Sequence, residues 1–338
     1  MRILARVLSA CALTALVVAC APSTEQGRGL SLGMVTDIGG LGDKSFNDSA
    51  YRGLLYAHRT LGARISVLQS RSAADYQPNL EALANERFSV IYAIGFLMSK
   101  DLDQIAQDHP HTHFAIVDAV VNEPNVVSIT FREQDGSFLA GALAAMMSKT
   151  KHIAFLGGQD IPLLHKFEAG YIAGAREIDP SVKVDAKYIG SFDDVAAGKE
   201  LADVELNDGA DIIYAAAGKA GMGAIEAVQT RRGAYAIGVD SNQDGLAPGK
   251  VLTSMVKRVN VAVFDVAKAY RAGKPMHGHV VFGLREGGVS LTHFKYTRKK
   301  IGSARLARLA RIRAAIIDGR IVPPATLRAL AKFKPVAL

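Results

Sequence analysis

The stretch Val35-Thr36-Asp37-Ile38-Gly39-Gly40-Leu41-Gly42-Asp43-Lys44-Ser45-Phe46-Asn47 sets the terms for the whole chain. The apolar run at 30–35 reads as a buried strand, and a helical pattern starts near Phe46 and runs towards Leu61. The stretch carries three glycines, two aspartates, a lysine and an asparagine. A polar, glycine-rich loop at the carboxyl end of a parallel strand is where open α/β sheets place their ligands. Glycine lets backbone approach a ligand closely, and polar side chains orient it. Phe46 is the odd residue, an aromatic among solvating groups at a helix start. It is either a core anchor or a flat face for a flat ligand.

Working outward, strand-like runs recur at 30–35, 63–68, 88–94, 114–117 and 126–130, then at 153–156, 182–189, 212–215, 234–239 and 251–255. Helical stretches fall between most of them, for example 139–148, 167–177 and 262–271. Alternating strands and helices imply parallel sheets covered on both faces. The two series predict an α/β protein of two doubly wound lobes. Loops after the strands gather glycines, amides and single charges: Gly95 to Lys100, Asp118-Ala119, Gly157 to Asp160, Ala217 to Gly221 and Asp240 to Gly245. If the lobes face each other, these loops line one cleft.

The first residues predict export. Arg2 and Arg6 precede an apolar segment at 7–19, too short to span a bilayer as a stable anchor. Val17-Val18-Ala19-Cys20 has the pattern of a lipobox, so residues 1–19 are expected to be a signal peptide, Cys20 the lipidated first residue, and 20–29 a tether. The chain has two cysteines, both in that leader, which excludes a disulfide framework, a zinc–thiolate cluster or a cysteine nucleophile in the mature part. Ala21 replaces the aspartate expected of a lipoprotein retained at the inner membrane, which leaves inner and outer membrane both open.

The formal charge of +8 invites a nucleic-acid reading, but its distribution argues against one. Arg2 and Arg6 leave with the leader. From Lys295 onward twelve lysines and arginines face one acid, Asp318, so the remaining body is mildly acidic. The tail at 301–338 reads as a basic helical extension capped by Ser303, with Leu306, Leu309, Ile312 and Ile316 on one stripe and Gly319 at its end. Packing of that stripe on the body is the plain expectation; attraction to an anionic membrane surface is the sharper one.

No catalytic constellation emerges. Phosphate-loop, dinucleotide and nucleophile-elbow spacings are missing. His109, His111 and His113 alternate as a metal pair might on an extended segment, yet no carboxylate brackets them; no metal or cofactor is expected. Asp37, Asp118 and Asp240 each follow a strand, where one aspartate alone suits a cap or turn. Three in one cleft, with Asn47 and Lys257, suit a polyhydroxyl ligand, because carboxylates accept strongly from hydroxyls and ring N–H groups. Phe46 adds a stacking face. Together these describe a sugar joined to a heterocycle, a nucleoside.

These residues resemble the basic membrane protein family, purine-nucleoside-binding lipoproteins of ABC importers. The resemblance rests on the lipobox, the loop Thr36 to Asn47, Phe167-Glu168-x-Gly170-Tyr171, Ala216-Ala217-Gly218, Gly238-Val239-Asp240-Ser241, Thr253-Ser254-x-Val256-Lys257-Arg258, and Phe282-Gly283-Leu284 with Gly287-Gly288-Val289. It implies a type I periplasmic-binding-protein fold that closes by hinge bending. It further implies a monomer with lobe 1 at 30–131 and 252–282, lobe 2 at 132–251 and 283–300, and permease and ATPase subunits as partners. Guanosine, inosine or adenosine would lie with the base between Phe46 and a second-lobe aromatic, Phe167 or Tyr214. Asp118 would meet the base edge, and Asn47, Asp240 and Lys257 the ribose, with Asp37, Gly95 and Gly218 shaping the cleft. The chain departs from the family pattern at Gly218-Lys219-Ala220-Gly221, where Gly-Gly-Thr-Gly is usual, and at Asn242. A binder of another heterocycle such as riboflavin, a ligand-sensing receptor and a nucleoside hydrolase are the rival readings.

Overall fold

The computed structural model describes residues 29–336. The leader, Cys20 and most of the expected tether lie outside the described residues. The first sheet is built from β1 (Ser31–Thr36), β2 (Arg64–Gln69), β3 (Val90–Ile94), β4 (His113–Val117) and β5 (Val126–Phe131). The second uses β6 (His152–Gly157), β7 (Lys183–Tyr188), β8 (Ile212–Ala216), β9 (Tyr235–Asp240) and β10 (Val251–Lys257). Two strands escaped the sequence reading: β11 (Gly278–Phe282) and β12 (Val289–Leu291). β11 is a largely exposed edge strand and β12 has only three residues, so neither carries a buried apolar run.

The strand orders are β11-β5-β4-β3-β1-β2 and β12-β10-β9-β8-β6-β7. All pairings are parallel except β10 with β12. β1, β3 and β8 are buried along their whole length, as expected of strands covered on both faces. Chain direction across each sheet reverses at its first strand, between β1 and β3 and between β6 and β8. Such switch points open a crevice beyond the strand ends.

Helix α1 (Phe46–Leu61) packs on α8 (Val259–Arg271) over one face of the first sheet, and α2 (Tyr76–Asn85) packs with α3 (Ser99–Asp108) over the other. In the second lobe α4 (Glu133–Met147) lies on α5 (Pro162–Ile178), and α6 (Val195–Asn207) on α7 (Gly221–Thr230). α4 begins six residues before the expected start. Its first turn, Glu133-Gln134-Asp135, looks like a loop in sequence but is buried. The α4–α5 contact needs small residues: a Cβ on Gly141 would lie 1.9 Å from the Tyr171 carbonyl oxygen, and one on Gly174 1.9 Å from that of Phe138.

Three crossovers join the lobes, at Arg132, Arg258 and 283–288. They are tied to one another, since Arg132 N–H donates to Phe282 O at 2.9 Å and Arg258 N–H to Gly288 O at 2.8 Å. The expected lobe boundary at 251/252 is corrected here. β10 pairs with β9 in the second sheet, and the chain returns to the first lobe only at α8.

After the four-residue α9 (Arg298–Ile301) comes α10 (Ser303–Ile317), which packs against α4, with Leu309, Ile312 and Ile316 buried. Ser303 is the first residue of that helix rather than its cap, which is Gly302. The short α11 (Leu327–Leu330) rests on α5. The extension is therefore part of the second lobe's surface. No helix among the described residues is long and apolar enough to cross a membrane.

Candidate functional site

The cleft between the lobes holds about 550 Å³ of atom-free space, counting its mouth. Segments at both switch points line it: Asp37, Gly39, Asp43, Phe46 and Asn47 after β1, Gly95 and Phe96 after β3, and Ala216 at the end of β8 with Gly218 and Lys219 beyond it. Asp118 follows β4, Asp240 ends β9 and Lys257 ends β10, and all three also face it. Leu163, Leu164 and Phe167 from α5, with Phe192 from the loop before α6, complete the wall.

The first loop is held by two carboxylates with different tasks. Asp43 accepts the backbone N–H groups of Ser45 (2.9 Å), Asn47 (2.7 Å) and Asp48 (3.1 Å), and so caps α1 from outside the usual cap position. Asp37 Oδ1 accepts from Gly39 N–H (2.9 Å) and Asn47 Nδ2 (2.8 Å), while the Asn47 side-chain oxygen has no donor among the described residues. Burial pushes the Asp37 carboxyl up to about 6, with Asn47 and Gly39 opposing and Asp43 and Asp118 reinforcing. Gly95 has φ +123°, and a Cβ there would lie 3.0 Å from Asp37 Oδ2, so the carboxylate's position depends on glycine.

Lys257 is the electrostatic centre. It is 2% exposed, its Nζ lies 2.6 Å from Asp118 Oδ2 and 3.5 Å from Glu133 Oε1, and it sits over the Phe46 ring at 4.9 Å from the centroid. Burial alone would strip its proton; Asp118, Glu133 and Asp240 overcome that and hold the ammonium charged. Burial raises Asp240 to about 7, opposed by Lys257 and the Ser45 hydroxyl and reinforced by Asp118 and Asp43. Asp118 and Asp240 both adopt left-handed backbone (φ +71° and +60°), a strained geometry for aspartate that clusters at ligand sites.

Three buried acceptor oxygens at the cleft have no hydrogen-bond partner among the described residues: Asn47 Oδ1, Asp118 Oδ1 and Asp240 Oδ1. Buried acceptors without donors are costly, and these three are chemically suited to accept from O–H and N–H groups.

Direct hydrogen bonds also bridge the lobes. Ser45 Oγ donates to Asp240 Oδ2 (3.0 Å), Ser241 Oγ to Ser45 O (2.6 Å), and Arg52 Nη2 to Ser241 Oγ (2.7 Å).

Nine of the ten expected cleft residues line this one space: Asp37, Phe46, Asn47, Gly95, Asp118, Phe167, Gly218, Asp240 and Lys257. Tyr214 does not. It is fully buried in β8, its hydroxyl 3.1 Å from Ser137 Oγ and its ring against Phe155 and Tyr171. Inward alternation along β8 puts it in the core while the loop beyond reaches the cleft. Phe192 and Glu133 went unseen in the sequence. Phe192 lies half-buried in a loop with no period to flag it, although Gly158 and Gly218 beside it were visible; a Cβ on Gly158 would strike its ring. Of the expected histidine run, His113 packs against Tyr270 and His277 with Nε2 on Met276 O.

Residues 30–326 match the family model described as ABC transporter substrate-binding protein PnrA-like, Bmp. The chain is 34% identical over 317 residues to the "ABC transporter nucleoside-binding protein BmpA" of Lactococcus lactis, covering 87% of this chain and 89% of that one. It is 36% identical over 298 residues to "Basic membrane protein A2" of Borrelia garinii, covering 86% and 87%. Among solved structures, an ABC transporter solute-binding protein from Aeropyrum pernix superposes with TM-score 0.83 at 28% identity, over 90% of this chain and 96% of that one. The two-lobed architecture is thus the type I periplasmic-binding-protein fold. The chain belongs to the PnrA-like basic membrane protein family of ABC transporter substrate-binding proteins, which are binding proteins and not enzymes.

Proposed function

We propose that the protein captures a purine nucleoside in this cleft by hinge closure and presents it to ABC permease and ATPase subunits, tethered to the cell membrane through lipid on Cys20. The observation that carries the reading is the set of three donor-less acceptors, Asn47 Oδ1, Asp118 Oδ1 and Asp240 Oδ1, arranged around Phe46 and Lys257. Ribose hydroxyls donate to Asn47 and Asp240, base N–H groups donate to Asp118, and Lys257 brings a positive charge to the two carboxylates. Phe46 stacks on one face of the base. Phe192 supplies the other face, being the more exposed of the second-lobe aromatics that line the cleft. Lys219, a cation on the β8 loop with no ion-pair partner among the described residues, offers a donor to a base carbonyl. The nucleoside-binding name of the Lactococcus relative supports the ligand class.

The test is a thermal-shift and calorimetric panel of guanosine, inosine, adenosine, the free bases, ribose and riboflavin. At least one purine nucleoside is expected to bind with micromolar or tighter affinity and to raise the melting temperature. A panel in which no nucleoside shifts it refutes the reading.

A further inference from the structure

On the second lobe, at the opposite end of its sheet from the cleft, three metal-ligating side chains converge. His152 opens β6, Asp185 lies in the neighbouring edge strand β7, and Glu205 comes from α6. One ligand atom from each lies within 4.8 Å of the other two. His152 Nε2 is 2.7 Å from Asp185 Oδ2. Glu205 is 0% exposed, and its Oε2 has no hydrogen-bond partner among the described residues.

Two lysines stand at the rim. Lys183 Nζ lies 2.8 Å from Asp185 Oδ2, and Lys187 Nζ 2.6 Å from Glu205 Oε1. Their side chains are 59% and 42% exposed, so both can swing into water at little cost. The carboxylates are buried or partly buried and the imidazole is 7% exposed, so they stay in place. An ion-pair network alone leaves the second Glu205 oxygen desolvated without a donor. A cation held between the three groups would bring a positive charge to this buried carboxylate.

We propose that His152, Asp185 and Glu205 form a site for a divalent transition-metal ion of the zinc class, which pins β6, the edge strand β7 and α6 together. One imidazole nitrogen with two carboxylates is a mixed nitrogen–oxygen set that suits zinc, whereas magnesium and calcium favour oxygen alone. The two carboxylate charges balance the ion once the lysines move aside. A fourth position is left to water from the side of the partly exposed Asp185.

The experiment is zinc chloride titration of the purified protein by calorimetry and melting temperature, in a buffer without phosphate or chelator. At a hundredfold excess over its Kd, zinc is expected to raise the melting temperature by about 4 °C. His152→Ala and Glu205→Gln should each weaken binding at least tenfold, while a cooperative thermal transition and a parental far-ultraviolet circular dichroism spectrum in both show them folded. Lys187→Met should melt lower than the parent without metal, and zinc should restore it, because the variant loses the competing ammonium. A zinc shift unchanged in Glu205→Gln belongs to another site, such as the neighbouring rings of His113 and His277, and overturns the proposal. So does a parent protein that binds no zinc, or a Lys187→Met variant that zinc does not rescue.

Discussion

Lys257 Nζ lies 2.6 Å from Asp118 Oδ2, and this pair ties the end of β10 in the second sheet to the end of β4 in the first. Both side chains are nearly inaccessible, at 2% and 5% exposure, so the attraction acts with little screening. The lysine thus has two roles. It opposes the upward push of burial on the Glu133 and Asp240 carboxyls, and it bridges the lobes where the ligand is proposed to sit.

Lys257→Met is accordingly expected to strip the cleft of its cation and leave Asp118, Glu133 and Asp240 facing one another. Breaking a buried pair costs roughly 3 kcal/mol, which lowers the melting temperature by about 5 °C. Nucleoside binding should disappear. Asp118→Asn leaves the lysine with Glu133 and should be milder in stability while still losing tenfold or more in affinity. Thermal melts and calorimetry on both variants decide this, and a Lys257→Met protein with parental affinity contradicts it.

The aromatic assignments separate cleanly. Phe46→Leu and Phe192→Leu should each weaken nucleoside binding by roughly ten- to a hundredfold, the usual worth of one base–aromatic stack. Tyr214→Phe removes only the hydroxyl contact to Ser137, so it should cost about 1 kcal/mol of stability and leave affinity within about twofold. If Tyr214→Phe loses as much affinity as Phe192→Leu, the second stacking face is misassigned.

Protonation offers a third handle. Burial raises Asp37 from 3.8 to about 6 and Asp240 from 3.8 to about 7. Folding therefore takes up protons between pH 4 and 7. The stability these groups supply is complete below about pH 4 and is lost as pH rises through 6 and then 7, on the order of 3 to 4 kcal/mol each. A melting profile of the ligand-free protein should show this decline. Asp240→Asn should flatten its upper part, between pH 5 and 8, and leave the Asp37 step; a profile identical to the parent's would speak against the assignment.

The Ser241 hydroxyl bonds to Arg52 and Ser45 of the other lobe, and Ser241 is not among the residues lining the cleft space with Asp240. Ser241→Ala removes both bridging bonds, each worth about 1 kcal/mol, and should favour the open form. Affinity should fall by up to about thirtyfold through the closing equilibrium, with no contact to the ligand altered. Small-angle scattering would report a larger radius of gyration at equal ligand concentration. Unchanged affinity and radius would show that closure does not depend on this latch.

Much of the site was legible because it lies at strand ends. Asp37, Gly95, Asp118, Gly218, Asp240 and Lys257 each follow an apolar run short enough to be a buried strand, and parallel topology sends all such ends to one side. Phe46 and Asn47 were legible as the polar-to-helical transition after β1. Asp43 was visible in the same loop, but only its three backbone bonds reveal that it is a cap.

What the chain determined by itself was the alternation of strands and helices, the duplication of that pattern and the polar loops closing each strand, because burial on both faces demands continuous apolar runs. Tertiary structure alone decided which lobe β10 joins, since a strand's pattern records that it is buried and not which neighbour buries it. It alone placed Tyr214 in the core and Phe192 at the cleft, because orientation of a side chain near a strand end turns on a single residue of register. It also turned the loop from Thr36 to Asn47 into one wall of the cleft. The other wall, with Lys257 and Asp240, lies about two hundred residues away in sequence, and no local pattern encodes that distance.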